Sequence, residues 1–175
     1  IEKIFDYVRP KLIITNKKQI FEKFCNNYKI ISPKEIILTK KVYTFRKINP
    51  NHPAALYYSS GTTGNPKGVL YSHDNMTSLI RSIVKGFKFK KKDNQLAFLP
   101  FGHTASINYN ILPSLLIGCN LFISKGFEHL RSNFFNVLEE YKITYTEVVP
   151  SVLFLLNKLK VDIRKLDLSS LEFIG

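Results

Sequence analysis

Apolar side chains recur along this chain with two different periods. Ile20, Phe21, Phe24, Cys25 and Tyr28 follow the spacing of a one-sided helix. So do Met76, Leu79, Ile80, Ile83 and Val84, and again Phe134, Phe135, Val137, Leu138 and Tyr141. Between them lie short apolar runs: "KLIIT" at 11–15, "EIILT" at 35–39, "AALYYS" at 54–59, "QLAFLP" at 95–100, "NLFIS" at 120–124 and "TYTEVVP" at 144–150. These, with "LEFI" at 171–174, read as buried strands. Strand and helix alternate over short connections, which predicts an α/β fold of mostly parallel sheets covered by helices. Ligands then belong at the C-terminal ends of the strands. The stretch 40–53, "KKVYTFRKINPNHP", shows neither period, and Pro50 and Pro53 flank an expected loop or subdomain junction.

Composition adds little to that picture. A chain of 175 residues, 45% of them apolar, can enclose a core and suggests one domain. The formal charge of +13 would suit a nucleic acid or an anionic surface, but the lysines are spread along the chain. Their densest run, "KGFKFKKKD" from Lys85 to Asp93, reads as a solvated turn between a helix and a strand. No RNP-like or aromatic stacking motif accompanies it, so nucleic acid is not an expected partner. Cys25 and Cys119 form no C-x-x-C, which disfavours a zinc knot or a disulfide framework and fits a reducing, cytoplasmic setting. No apolar stretch reaches the length of a membrane span, and no signal-peptide pattern opens the chain. Opening on Ile1 without a methionine and stopping at Gly175 just after "LEFI", the sequence is expected to be a fragment.

The most informative stretch is "SSGTTGNPKG", residues 59–68, which follows the strand "AALYYS" directly. Gly61, Gly64 and Gly68 let the backbone turn sharply and come close to a ligand. Ser59, Ser60, Thr62 and Thr63 offer hydroxyls, and Lys67 adds a point charge. That set suits a polyanion with many acceptor oxygens, a phosphate chain above all. The plainer reading is a polar surface turn. The loop is not the common G-x-x-x-x-G-K-[ST] element, because Pro66 stands five residues after Gly61 and Gly68 follows Lys67. G-x-S-x-G is absent too, which disfavours a serine hydrolase. Downstream, Asp74 in "SHDNMTSLI" is the expected N-cap of the following helix.

Taken over its whole length, "YYSSGTTGNPKGVLYSHDN" resembles the signature of the adenylate-forming (AMP-binding) enzymes. These include acyl-CoA synthetases, coumarate-CoA ligases, luciferases and peptide-synthetase adenylation domains. "LPFGHTASI", "LPSLLIGCNLFI", "EEYKITYTEVVPSVLFLL" and "DLSSLEFIG" follow in the order and at about the distances of that family. The resemblance implies part of the family's N-terminal domain over residues 1–175. It also implies further elements beyond these residues: the adenine and ribose motifs, and a C-terminal lid domain with its lysine. The chain by itself is therefore expected to be inactive.

In such enzymes a carboxylate attacks the α-phosphorus of ATP, pyrophosphate leaves, and a thiol then takes the acyl group from the acyl-AMP anhydride. By resemblance, Ser59, Ser60, Gly61, Thr62, Thr63, Gly64 and Lys67 bind ATP, and Lys67 faces the departing phosphates beside Mg2+. His103 resembles a histidine between the acyl pocket and the adenylate, where it would donate to a carboxylate oxygen or form a wall. Thr104, Ala105 and Ser106 after it depart from the glycine many members carry there. His73 reads as a capping or packing residue, and His52 and His129 lack metal-ligand spacing, so no structural metal is expected. The implied activity is an AMP-forming acid–thiol ligase, most like an acyl-CoA synthetase of fatty acid metabolism that uses coenzyme A. The alternatives are an adenylation domain loading an amino or aryl acid onto a carrier protein, or a non-catalytic nucleotide-binding module. A basic nucleic-acid binder is the remaining contrast.

Overall fold

A computed structural model describes residues 2–24, 27–36, 44, 47–59 and 67–175. The chain divides into two compact units. One comprises Ile1–Ile48 with Tyr58–Gly68, and the other Asn49–Tyr57 with Val69–Gly175.

In the first unit, helix α1 (Glu2–Val8) and helix α2 (Lys18–Phe24) accompany two short strands, β1 (Ile13–Ile14) and β2 (Ile30–Ile31). The strands pair in parallel, Ile13 opposite Ile30. Tyr28, expected to continue α2, lies outside it. Its hydroxyl donates to the Phe5 carbonyl at 2.9 Å and its ring packs on that of Phe5, so the residue closes the end of α1. Glu35 of the expected strand "EIILT" belongs instead to a single 3₁₀ turn, Pro33–Glu35. Ser32 and Glu35 bond reciprocally there, and Lys18 meets the Glu35 carboxylate at 2.9 Å. Residues 37–39 of that run lie outside the described residues.

The division between units falls within strand β3 (Pro53–Ser59) and again within strand β4 (Lys67–Ser72), which pair as a two-stranded ribbon. Ser59 stands beside Lys67, while the Tyr57 ring meets Tyr71 edge-on at 5.4 Å. Partner numbers rise as those of β3 fall, which is the antiparallel sense.

The second unit is built on a four-stranded, all-parallel sheet in the order β6-β5-β7-β8: β5 (Asn94–Ala97), β6 (Asn120–Ile123), β7 (Tyr145–Thr146) and β8 (Phe173–Ile174). Helix α3 (His73–Gly86) precedes β5. A π-helical stretch, Ser106–Ile111, runs straight into α4 (Leu112–Ile117) before β6. Helices α5 (Phe127–Leu130) and α6 (Phe134–Glu140) link β6 to β7, and α7 (Pro150–Asn157) follows β7. Alternation along β5 sends Leu96 into a core with Phe134 and Leu138 of α6 and Val152 and Leu156 of α7. Leu138 and Phe134 are 0% and 1% exposed, and each such side chain contributes about 1.5–3 kcal/mol by leaving water. Among the described residues no helix is long and apolar enough to cross a membrane.

Candidate functional site

The polar loop is held at its base by the ribbon. Ser59 is the last residue of β3 and Lys67 the first of β4, and the Ser59 hydroxyl donates to the Lys67 carbonyl across a long 3.5 Å. Both residues are exposed. Ser60, Gly61, Thr62, Thr63 and Gly64 lie outside the described residues. Of the seven expected phosphate-binding residues, the structure thus describes and brings together Ser59 and Lys67.

Beyond β4 the chain enters α3 through a cap that differs from the expected one. Ser72, not Asp74, is the N-cap. Its hydroxyl accepts the Asn75 N–H at 3.1 Å, and the Asn75 side chain returns the bond to Ser72 N–H at 3.1 Å. The reason is local: Asn three residues after Ser completes a reciprocal box, which places Asp74 inside the first turn, where its charge favours the helix dipole. The His73 and Asp74 amides donate to the His52 and Pro50 carbonyls at 3.1 and 2.9 Å. With those donors engaged, the start of α3 is not an anion site. His73 is its first residue, and the cap itself is made by Ser72 and Asn75.

In the second unit, His103 follows β5 on a turn in which its N–H donates to the Pro100 carbonyl at 3.0 Å. The ring Nδ1 accepts the Ala105 N–H at 3.2 Å. That bond assigns the proton of the neutral ring to Nε2, leaving an exposed Nε2–H donor while the backbone fixes the ring.

Close behind opens a crevice of about 400 Å³ at the C-terminal ends of three parallel strands. Phe98, Phe101 and Phe127 supply its aromatic wall, Val149 and Val152 its aliphatic one, and Lys125 and Glu128 its charges. Gly126, with φ of 135°, makes the sharp entry into α5. At the neighbouring end of the sheet, the Tyr145 hydroxyl bonds the Glu147 carboxylate at 2.5 Å. Burial, and then that carboxylate, push the phenol well above its usual range. Gly175 closes against this pair: a Cβ there would run into Glu147 and approach Tyr145. Lys125, Glu128 and Glu147 were not singled out by sequence. Their only signal was position: Lys125 directly follows "NLFIS", Glu128 lies three residues further on, and Glu147 falls inside "TYTEVVP".

No group of three or more His, Cys, Asp or Glu able to hold a metal occurs among the described residues. Burial pushes the Cys119 thiol up, away from a reactive thiolate.

The profile of the family described as AMP-binding enzyme matches residues 1–175. The chain is 34% identical over 132 residues to a 4-coumarate–CoA ligase of Humulus lupulus, covering 73% of this chain and 24% of that relative. It is 35% identical over 103 residues to a human long-chain-fatty-acid–CoA ligase, covering 58% of this chain and 15% of that protein. It thus spans about a quarter or less of the length of these relatives. Among solved structures, the fold matches McyG A-PCP complexed with phenylalanyl-adenylate, with a TM-score of 0.85, 20% identity, and coverage of 99% of this chain and 29% of that one. It also matches a fatty acyl-adenylate ligase from L. pneumophila, with a TM-score of 0.81, 22% identity, and coverage of 99% and 32%.

Proposed function

Since this chain belongs to the AMP-binding enzyme family, we propose that it is part of the N-terminal domain of a ligase that activates a carboxylic acid with ATP. The whole protein forms the acyl-AMP, releases pyrophosphate and passes the acyl group to coenzyme A. The observation that carries this reading is the ribbon. It presents Ser59 and Lys67 side by side, at the two ends of a segment dense in hydroxyls and glycines. Ser59, Ser60, Gly61, Thr62, Thr63 and Gly64 cradle the phosphates, and Lys67 neutralises charge on the departing pyrophosphate. Magnesium would accompany the nucleotide, bridging its phosphate oxygens.

In the other unit, His103 offers Nε2–H to the acid's carboxylate. The crevice of Phe98, Phe101, Phe127 and Val149 takes an apolar acyl or aryl portion. Coenzyme A is preferred to a carrier protein as acceptor because the sequence relatives described above are named as CoA ligases. Residues 40–53 act as the junction between parts of the domain, and the protein works in the cytoplasm. A fatty substrate and an aryl one both remain within this reading.

The test is acid-dependent exchange of pyrophosphate into ATP by the full-length protein, across fatty, aryl and amino acids, followed by thioester assay with coenzyme A or a carrier protein. Exchange driven by an apolar acid and thioester formation with coenzyme A are expected. Binding of ATP without any acid-dependent exchange would leave a nucleotide-binding module instead.

A further inference from the structure

Cations in the second unit gather at one edge of its sheet. Ten of the thirteen lysines and arginines between residues 69 and 175 lie in or beside the segments that enter β5, β7 and β8. All four strands are parallel, so these segments share the N-terminal edge, opposite the crevice and His103. Their placement is fixed. The Asn94 side chain donates to the Tyr141 and Lys142 carbonyls at 2.9 and 3.1 Å, and the Asn120 N–H reaches the Asp93 carbonyl at 3.1 Å.

The acidic groups of this edge are mostly engaged. Asp162, Asp167 and Glu172 pair with Arg164, Lys142 and Lys90. Asp93 accepts the Lys90 N–H, and Glu139 accepts the Asp167 N–H. Among the described residues of this edge, seven exposed lysines have no ion-pair partner: Lys85, Lys88, Lys91, Lys92, Lys158, Lys160 and Lys165. Glu140 is the one exposed acid left to oppose them.

The same edge exposes aliphatic surface. Val161 and Ile163 are 38% and 49% exposed, and they alternate with Lys160, Asp162 and Arg164. The aromatic rings interleaved with the lysines point inward instead. Phe87 and Phe89 stack on each other at 5.4 Å and pack against Tyr145, so no ring in this run is presented to a nucleobase. Free ammonium groups beside short exposed aliphatics suit a surface with anions at the interface and hydrocarbon just below it.

We propose that this N-terminal edge is a docking face for an anionic lipid bilayer. It leaves the crevice on the opposite edge of the sheet open. The binding is peripheral and reversible, because neither the lysines nor the two aliphatic side chains suffice alone.

The test uses the full-length protein and vesicles of equal parts phosphatidylcholine and phosphatidylserine, with phosphatidylcholine vesicles as control. Co-sedimentation with the anionic vesicles, weakened by salt, is expected. Each lysine neutralised lowers partitioning roughly fivefold. A K85Q/K91Q/K92Q/K165Q variant should therefore lose at least tenfold while its thermal unfolding stays unchanged. V161S/I163S should lose a few-fold, and that loss should persist at high salt. Equal binding to both vesicle types, binding to neither, or full retention by the quadruple variant overturns the proposal. So does a quadruple variant that loses affinity for a DNA duplex while its vesicle binding is unchanged, the outcome that assigns the edge to nucleic acid.

Discussion

The two edges of the parallel sheet in the second unit are built from different materials. At the C-terminal edge, strands run out into aromatic residues, glycines and a fixed histidine, around an open crevice of about 400 Å³. At the N-terminal edge, entering segments are stitched by asparagine side chains and ion pairs, and lysine covers the outside. One edge leaves space and donors unfilled; the other closes its bonds and keeps surplus charge. The difference teaches where to look for chemistry and where for anchorage, although both edges stand on the same Leu96–Phe134–Leu138 core.

Substitutions break or sharpen that contrast. Leu138→Ala removes a side chain common to both edges, and its cavity should cost about 2–5 kcal/mol, read as a lower urea midpoint. Asn94→Ala strips the N-terminal edge of its bonds to Tyr141, Lys142 and Asn120. About 1–3 kcal/mol of stability should go, with the KM for the acid unaltered below the unfolding transition. Phe101→Ala is the converse. It opens the crevice wall at a residue 44% exposed, so the acid's KM should rise several-fold, on the order of 1 kcal/mol, with little change in Tm. A Tm loss from Phe101→Ala as large as that from Asn94→Ala would erase the distinction.

The smallest effect is a matter of pH. Lys142, and then Ser169, hold the Asp167 carboxyl below the usual aspartate range. A depressed folded-state value means stability that is present above the unfolded pKa, near 3.8, and lost as pH falls below it. Lys142→Met should make the fall in Tm below about pH 4 shallower, by little because the pair is exposed. An unchanged acid limb would show that the pair contributes nothing.

Much of this was legible in the sequence. Strong helical period marked α3 and α6, where Ile83, Phe134 and Leu138 are the buried members. "QLAFLP", "NLFIS" and "AALYYS" became β5, β6 and β3. "TYTEVVP" yielded only Tyr145–Thr146, because Pro150 starts a helix and the residues before it must leave the sheet. The strand Ile30–Ile31 was missed because Tyr28 extended the helical count to its threshold. The π-helical stretch carried no apolar period at all: its inward positions are Ser106, Asn108 and Asn110, which a hydrophobic pattern cannot flag. At the candidate site, the motif singled out Ser59, Lys67 and His103 as the residues to test. The Nδ1 bond that orients His103 depends on a backbone turn that no spacing rule encodes.

The account rests most heavily on the hairpin as the clasp for triphosphate, and one measurement addresses it directly: acid-dependent pyrophosphate exchange by full-length Lys67→Ala beside the unsubstituted protein. Removal of a charge-assisted contact to the departing phosphates should cost about 2–4 kcal/mol, a loss of roughly thirty- to several-hundred-fold in exchange rate with the acid's KM little changed. Exchange that continues at the unsubstituted rate would contradict it.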